Sequence, residues 1–229
     1  MLLKRLVWDI RLTVQKENYN LMRNIFAYSS LFRKFAEKLA CLVLLNILWV
    51  ACSVPLVTAG ASSVALYTVA FEMAGGKKTN ITRRFFEAFK TNFVQAAKIT
   101  VLLAVTGVWI VPALHIIGMA GSRTRGILYM GCVVFFIIWG IIVTYIFPLI
   151  AKYKNTLDNT FSNIIKITVS HFPQTVFMLL ANAVPFILYF AFPGIFGKVF
   201  WIWLFIGKAL VAYINCIVVS PVLDKFHYR

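Results

Sequence analysis

The sequence has 229 residues, of which 61% are hydrophobic and 13% charged, and its formal net charge is +16. Soluble globular chains carry about 45–50% apolar and about 25% charged residues, so this composition excludes an ordinary soluble domain. It also excludes a disordered chain, because disorder requires low hydrophobicity.

Long uncharged stretches predict an all-α polytopic membrane helix bundle. A bilayer core of about 30 Å requires about 20 apolar residues per helix, and the uncharged stretches reach that length. A β-barrel would instead show alternating segments of about ten residues. We predict six transmembrane helices, at about 39–54, 58–74, 98–117, 127–149, 174–192 and 199–220.

The first uncharged stretch, Leu39–Phe71, predicts two helices rather than one. As a single helix it would run about 50 Å, and Pro55 and Gly60 interrupt it. Strongly basic segments precede and follow it, and such segments stay on the cytoplasmic side. The sequence therefore favours a hairpin that crosses the membrane twice, with a re-entrant loop as the alternative.

The positions of the basic residues predict the orientation of the chain. With six crossings, 19 of the 23 Lys and Arg residues fall on the same side as both termini, which we expect to be cytoplasmic. A basic amphipathic segment, 1–38, then precedes a transmembrane domain, 39–221, and a cytoplasmic tail, 222–229. The positive charge is explained by orientation and lipid contact, so no nucleic-acid partner is expected.

Three inner segments have the apolar spacing of amphipathic helices: 2–14, 79–98 and 156–172. The second is the clearest, and its Phe side would lie in the inner interface with basic residues near anionic headgroups. The alternative is that these faces pack on the bundle of the protein itself. The lipid-contact prediction comprises Arg83, Arg84, Lys90, Phe85, Phe86, Phe89 and Phe93.

Two parts of the chain resemble each other and suggest a parallel repeat of helix hairpins. Val111-Pro112 recurs as Val184-Pro185, and the run Pro148–Tyr153 recurs as Pro221–Phe226, both at an offset of 73 residues. The two units would share orientation, unlike inverted transporter repeats. Chance coincidence of prolines is the alternative.

The residues that would support enzyme chemistry are scattered. The four Cys residues fall inside predicted spans without forming close pairs, the three His residues lack ligand spacing, and no Gly-rich phosphate loop is present. We expect no metal site, no cofactor and no enzymatic activity.

Lys208 is the one charged residue near the centre of a predicted span, and Asn182 in the preceding span lies at similar depth. A charge there costs about 2.5–3.5 kcal/mol on insertion scales and marks a functional site by default. Asn46 and Trp49 share a face of the first span. These four residues form a candidate midplane polar site for a sugar-like solute. The alternative is that the Asn side chains only join helices.

Three segments carry a family resemblance: Asn46–Trp49, Ser53–Ala61 and Phe89–Ala96. They closely resemble the YesL family, bacterial integral membrane proteins of unknown function. The resemblance covers roughly residues 30–220 and implies a place in the bacterial cytoplasmic membrane. It also implies a link to carbohydrate uptake, since such proteins are often encoded near uptake systems and glycan-degrading enzymes. It supplies no catalytic residue.

Two functions are therefore expected. The first is a non-enzymatic accessory protein of carbohydrate uptake or its regulation, acting through helix contacts with a transporter or sensor subunit. The alternative is a solute-binding transport subunit or small permease that uses the midplane polar site.

Overall fold

The computed structural model describes residues 32–77, 79–119, 121–153 and 157–227, and these form helices joined by short turns. The amphipathic segment 2–14 lies outside the described residues. The chain divides into two compact units, Met1–Cys41 and Leu42–Arg229. The helices are α1 (Phe32–Ser53), α2 (Ala59–Ala74), α3 (Ile81–Val108), α4 (Ile110–Met119), α5 (Ser122–Lys152), α6 (Leu157–Ser170), α7 (Phe172–Ala191), α8 (Pro193–Ile202) and α9 (Lys208–His227).

Six stretches of helix are long and apolar enough to cross a membrane, which confirms the predicted all-α polytopic bundle. The described residues of the chain form helices and turns and contain no strand. The six stretches are Phe32–Ser53, Leu56–Ala74, Ile81–Met119, Thr124–Lys152, Phe172–Ala191 and Phe196–Asp224.

Helix α2 is the centre of the unit Leu42–Arg229. Its residues Gly60–Ala70 are buried on every side, and it packs against α3, α5 and α9. Small residues make this possible, because a helix of Gly, Ala and Ser lets neighbouring backbones approach closely. At Gly60 the approach is closest: a Cβ atom would overlap Thr100 Oγ1 and lie 2.8 Å from the carbonyl oxygen of Ala96.

Helix α3 joins two segments that the sequence separates. The predicted amphipathic segment 79–98 and the start of the predicted span at 98 form one continuous helix, Ile81–Val108. Asn80 caps its first turn by accepting a bond from the Arg83 N–H at 3.2 Å. The helix breaks at Trp109 because Pro112 has no N–H to donate to the carbonyl of Val108.

The buried core lies towards one end of the helices. It joins α2 and the second half of α3 with the second half of α5, with α6, with the first half of α7 and with the second half of α9. At that end the Lys152 ammonium contacts Asp224 at 2.7 Å, and the Tyr153 hydroxyl donates to the Leu223 carbonyl at 2.6 Å. The ends of α5 and α9, which the proposed repeat makes equivalent, are therefore bonded to each other. The repeat itself remains a prediction.

Candidate functional site

A π-helical segment, Trp203–Gly207, separates α8 from α9 directly before Lys208. The wider π turn inserts an extra residue into the helix, a feature that is frequent at functional sites. The Trp203 indole lies over Gly207, where a Cβ atom would be 2.7 Å from the Trp203 Cγ. The sequence carries no signal for this segment, because its residues are apolar at either helical spacing.

Asn46 bonds the main chain across this π segment. Its Nδ2 donates to the Leu204 carbonyl, and its Oδ1 accepts from the Ala209 N–H, both at 2.7 Å. The side chain is 1% exposed. An α-helix pairs each N–H with the carbonyl four residues before it, so the π turn disturbs that pairing. The amide of Asn46 supplies a donor and an acceptor there.

Lys208 follows the π segment and is only partly buried. Its Nζ donates to Asn182 Oδ1 at 3.4 Å, and Asn182 Nδ2 donates to the Met178 carbonyl at 2.9 Å. The sequence placed Lys208 and Asn182 at similar depth, and the structure brings their side chains together. Asn46 bonds the main chain on both sides of Lys208. Three of the four predicted site residues, Asn46, Asn182 and Lys208, therefore meet at one turn of the last span.

Trp49, the fourth predicted residue, is directed towards α2. Its Nε1 donates to Ser63 Oγ at 3.1 Å, and Ser53 Oγ lies 2.5 Å from Ser62 Oγ in the same hairpin. These bonds fasten α1 to α2 near the turn that joins them. Ser62 and Ser63, which our sequence reasoning missed, also bond the Ala59 carbonyl. Their position beside a run of small residues is the signal that could have revealed them.

The predicted lipid-contact residues of α3 divide into two groups. Phe85 is fully buried, and Phe89 and Phe93 pack against the core. This burial favours the alternative interpretation, in which the Phe face packs on the protein's own bundle. Phe86 is 39% exposed, and Arg83 and Lys90 are exposed, so lipid contact remains a prediction for these three.

Arg84 is engaged within the protein rather than directed only outward. Its guanidinium contacts the Glu72 carboxylate at 2.6 Å and the Glu87 carboxylate at 3.3 Å. The first contact fastens the end of α2 to the start of α3. The sequence separated these residues into a span and an inner segment, so it could not reveal the pair.

An apolar groove of about 680 Å³ lies between α3, α4 and α5. Its lining includes Trp109, Ile117, Cys132 and Phe135. The groove belongs to a region that we name the open half, the described residues of 101–119 and 124–138. Most large apolar side chains there are exposed, such as Trp109 at 73%, whereas Ile117 is buried.

Residues 42–112 match the model of the family described as "Protein of unknown function, DUF624". The chain contains a DUF624 domain. The matched range covers Asn46, Trp49, all of α2 and α3, and the first residues of α4, whereas Asn182 and Lys208 lie outside it. YesL proteins belong to the DUF624 family. Comparison with curated proteins and with solved structures gave no match.

Proposed function

We propose that this protein is a non-enzymatic integral membrane protein that serves carbohydrate uptake or its regulation by contacting a transporter or sensor subunit within the bilayer. The open half carries this proposal. Its helices pack little against one another, and a Cβ atom added at Gly126 or Gly131 would meet nothing within 4 Å. Helices in membranes associate through close packing at such small residues. A transmembrane helix of a partner subunit would complete the groove.

The polar residues of the site support an accessory role over a solute-binding one. Asn46 has both amide atoms bonded to the main chain, and the Trp49 N–H is bonded to Ser63. Side chains whose hydrogen-bonding groups are paired within the bundle hold the helices together and leave few groups free to bind a solute. The link to carbohydrates rests on the resemblance to the YesL family alone.

Site-specific photo-crosslinking in native membranes tests the accessory role. A photoreactive phenylalanine analogue replaces Phe135, which lines the groove, and a matched control replaces Ile165, which is 66% exposed on α6. We expect the Phe135 variant to form an adduct with a co-expressed carbohydrate permease or sensor subunit, and the Ile165 variant to form none. Equal adducts from both positions, or none with a transport subunit, would contradict the proposal.

A solute-binding transport subunit or small permease is the second candidate, and Lys208 favours it. The described contacts give its ammonium a hydrogen bond of 3.4 Å to Asn182, which leaves capacity for a solute acceptor. Purified protein should then show a thermal shift with a sugar, and Lys208→Met should abolish the shift while Lys208→Arg keeps part of it. No shift with any sugar would contradict this candidate.

We also infer that the chain is a YesL-like protein of the bacterial cytoplasmic membrane, with both termini in the cytoplasm. The DUF624 domain and the one-sided distribution of Lys and Arg support this placement. A fluorescent reporter that folds only in the cytoplasm should be active when fused after Arg229. Activity of a reporter that requires the opposite side would contradict the orientation.

A further inference from the structure

We infer that α1 and α2 form a re-entrant hairpin, which enters the bilayer from the side of Lys77, returns to that side, and inserts its tip, Val54–Val57, into lipid hydrocarbon. This inference goes beyond the proposed function and does not depend on it. It decides between the two hairpin arrangements that the sequence left open. By the length and composition of the whole helices, both are candidates for crossing. Their contacts, and the shorter uncharged part of each arm, indicate a hairpin that returns to the side it entered.

The alignment of α2 on α3 places the tip well short of the end of the apolar stretch Ile81–Met119. Glu72 near the end of α2 pairs with Arg84 in the first turn of α3. The two helices then run antiparallel, and Gly60 at the start of α2 lies against Ala96 and Thr100. Beyond Thr100, α3 continues to Val108, which adds about 12 Å of helix. The start of α2 therefore lies beside the middle of the apolar stretch Ile81–Met119, which is 39 residues long.

The contacts of α2 with α5 independently indicate that the hairpin does not span the full length of the bundle. A Cβ atom at Gly60 would lie 3.1 Å from the ring of Phe147, five residues before the end of α5 at Lys152. The Lys152 ammonium lies 5.3 Å from the centre of the Phe71 ring, at the base of the hairpin. The part of α5 between Phe147 and Ser122 extends about 37 Å further. Both ends of α2 thus contact α5 near one end.

The arms of the hairpin are also short for a crossing. The uncharged residues outside the turn are Leu39–Ser53 in one arm and Ala59–Phe71 in the other. At the helical rise of 1.5 Å per residue these reach about 22 Å and about 20 Å. The hydrocarbon core is about 30 Å thick, and tilt shortens the reach further.

The chemistry of the tip suits hydrocarbon rather than water. Val54, Leu56 and Val57 are exposed by 78%, 82% and 50%. Backbone groups at membrane depth must be bonded within the protein, and Thr58 does this at the turn. Its hydroxyl lies 2.6 Å from the Cys52 carbonyl and 2.7 Å from the Pro55 carbonyl, and its N–H donates to Pro55 at 2.9 Å.

Cysteine accessibility in intact membranes tests the inference. The four native Cys residues are replaced by Ala, and a single Cys is introduced by Leu56→Cys at the tip. Gly121→Cys, in the turn between α4 and α5, and Lys77→Cys, in the turn between α2 and α3, are the controls for the two sides. The probe is a membrane-impermeant maleimide, applied to cells and to inverted vesicles. Maleimides react with the thiolate, which does not form in hydrocarbon.

We expect Leu56→Cys to react more than about tenfold more slowly than either control, because its thiol lies in lipid. After labelling in detergent with a polarity-sensitive fluorophore and reconstitution, its emission should be quenched most by spin labels near the acyl-chain ends. Val54→Cys should behave alike if Leu56→Cys does not fold. Reaction from the Gly121 side at a rate within about tenfold of that control, or strongest quenching by headgroup spin labels, would overturn the inference.

Discussion

Replacement of Asn46 by Leu tests whether this side chain holds the π segment of the last span. Leu has a similar volume but neither donates nor accepts, so the Leu204 carbonyl and the Ala209 N–H lose their partner. Hydrogen bonds between membrane helices contribute about 0.6 kcal/mol each on average, which sets a lower limit of about 1.2 kcal/mol for two.

The upper limit comes from burial. Asn46 is 1% exposed, and an unpaired buried polar group costs about 1–3 kcal/mol, so two such groups would cost at most about 6 kcal/mol. The two orphaned groups lie on one helix and can bond each other in π geometry, which recovers part of that cost. We therefore expect the free energy of unfolding to fall by about 2 kcal/mol, between these limits.

Reversible unfolding in mixed detergent micelles, followed by circular dichroism, measures this change. Asn92→Leu is the matched control, because the Asn92 amide donates to the Ala88 carbonyl of its own helix at 2.9 Å. That carbonyl keeps its helical partner when Asn92 is lost, so the control should change stability by less than about 0.5 kcal/mol. A loss below about 0.5 kcal/mol for Asn46→Leu would refute the role assigned to Asn46.

Three further changes probe the contacts of α2 and of the bundle end. Gly60→Ala should destabilise the fold by about 1–3 kcal/mol, because its Cβ would overlap Thr100 Oγ1. The control in the same melting assay is Gly121→Ala, which has open space around it. Equal melting temperatures of the two variants would contradict the close approach at Gly60. Glu72→Gln should lower the free energy of unfolding by about 1 kcal/mol at low salt and by less at high salt, since the Arg84 side chain is 36% exposed. A loss that does not depend on salt would argue against an ion pair. Burial and the charge of Asp224 raise the pKa of Tyr153. The neutral phenol therefore stabilises the fold fully below pH about 10, the pKa of a free tyrosine, and this stabilisation is lost as the pH rises through the raised pKa of the folded state. Tyr153→Phe should therefore lose stability less steeply than the parent above pH about 10 in pH-resolved melting, and identical slopes would contradict this.

Part of the candidate site could be predicted from the sequence, for a definite physical reason. A charge or amide inside a long apolar run is costly, so Lys208, Asn182 and Asn46 are conspicuous without any structure. The main-chain partners of Asn46 are not predictable in this way. Asn46 bonds main-chain atoms about 160 residues away along the chain, and main-chain atoms leave no trace in side-chain composition.

The amphipathic face of α3 shows a second limit. Helical spacing identifies Phe85, Phe89 and Phe93 as one face, but lipid and protein interior are both apolar, so the spacing cannot say which of them covers it. The structure decides this by burying Phe85 and by packing Phe89 and Phe93 against a core to which α2 contributes. The packing of α2 on α3 also pairs Glu72 with Arg84, which the two separate sequence segments did not suggest.

The sequence by itself determined the class of this protein, because uncharged runs of more than 20 residues can be stable as helices in a bilayer, where every backbone group must be bonded. It also predicted the helix break at Pro55 and favoured one orientation through the placement of Lys and Arg, whereas the break at Trp109 falls inside the predicted span 98–117. Only the tertiary structure decided how the helices align along one another. That alignment is set by the close approach at Gly60, by the ion pairs at the bundle end and by Asn46 across the π segment, and it carries the inference of a re-entrant hairpin.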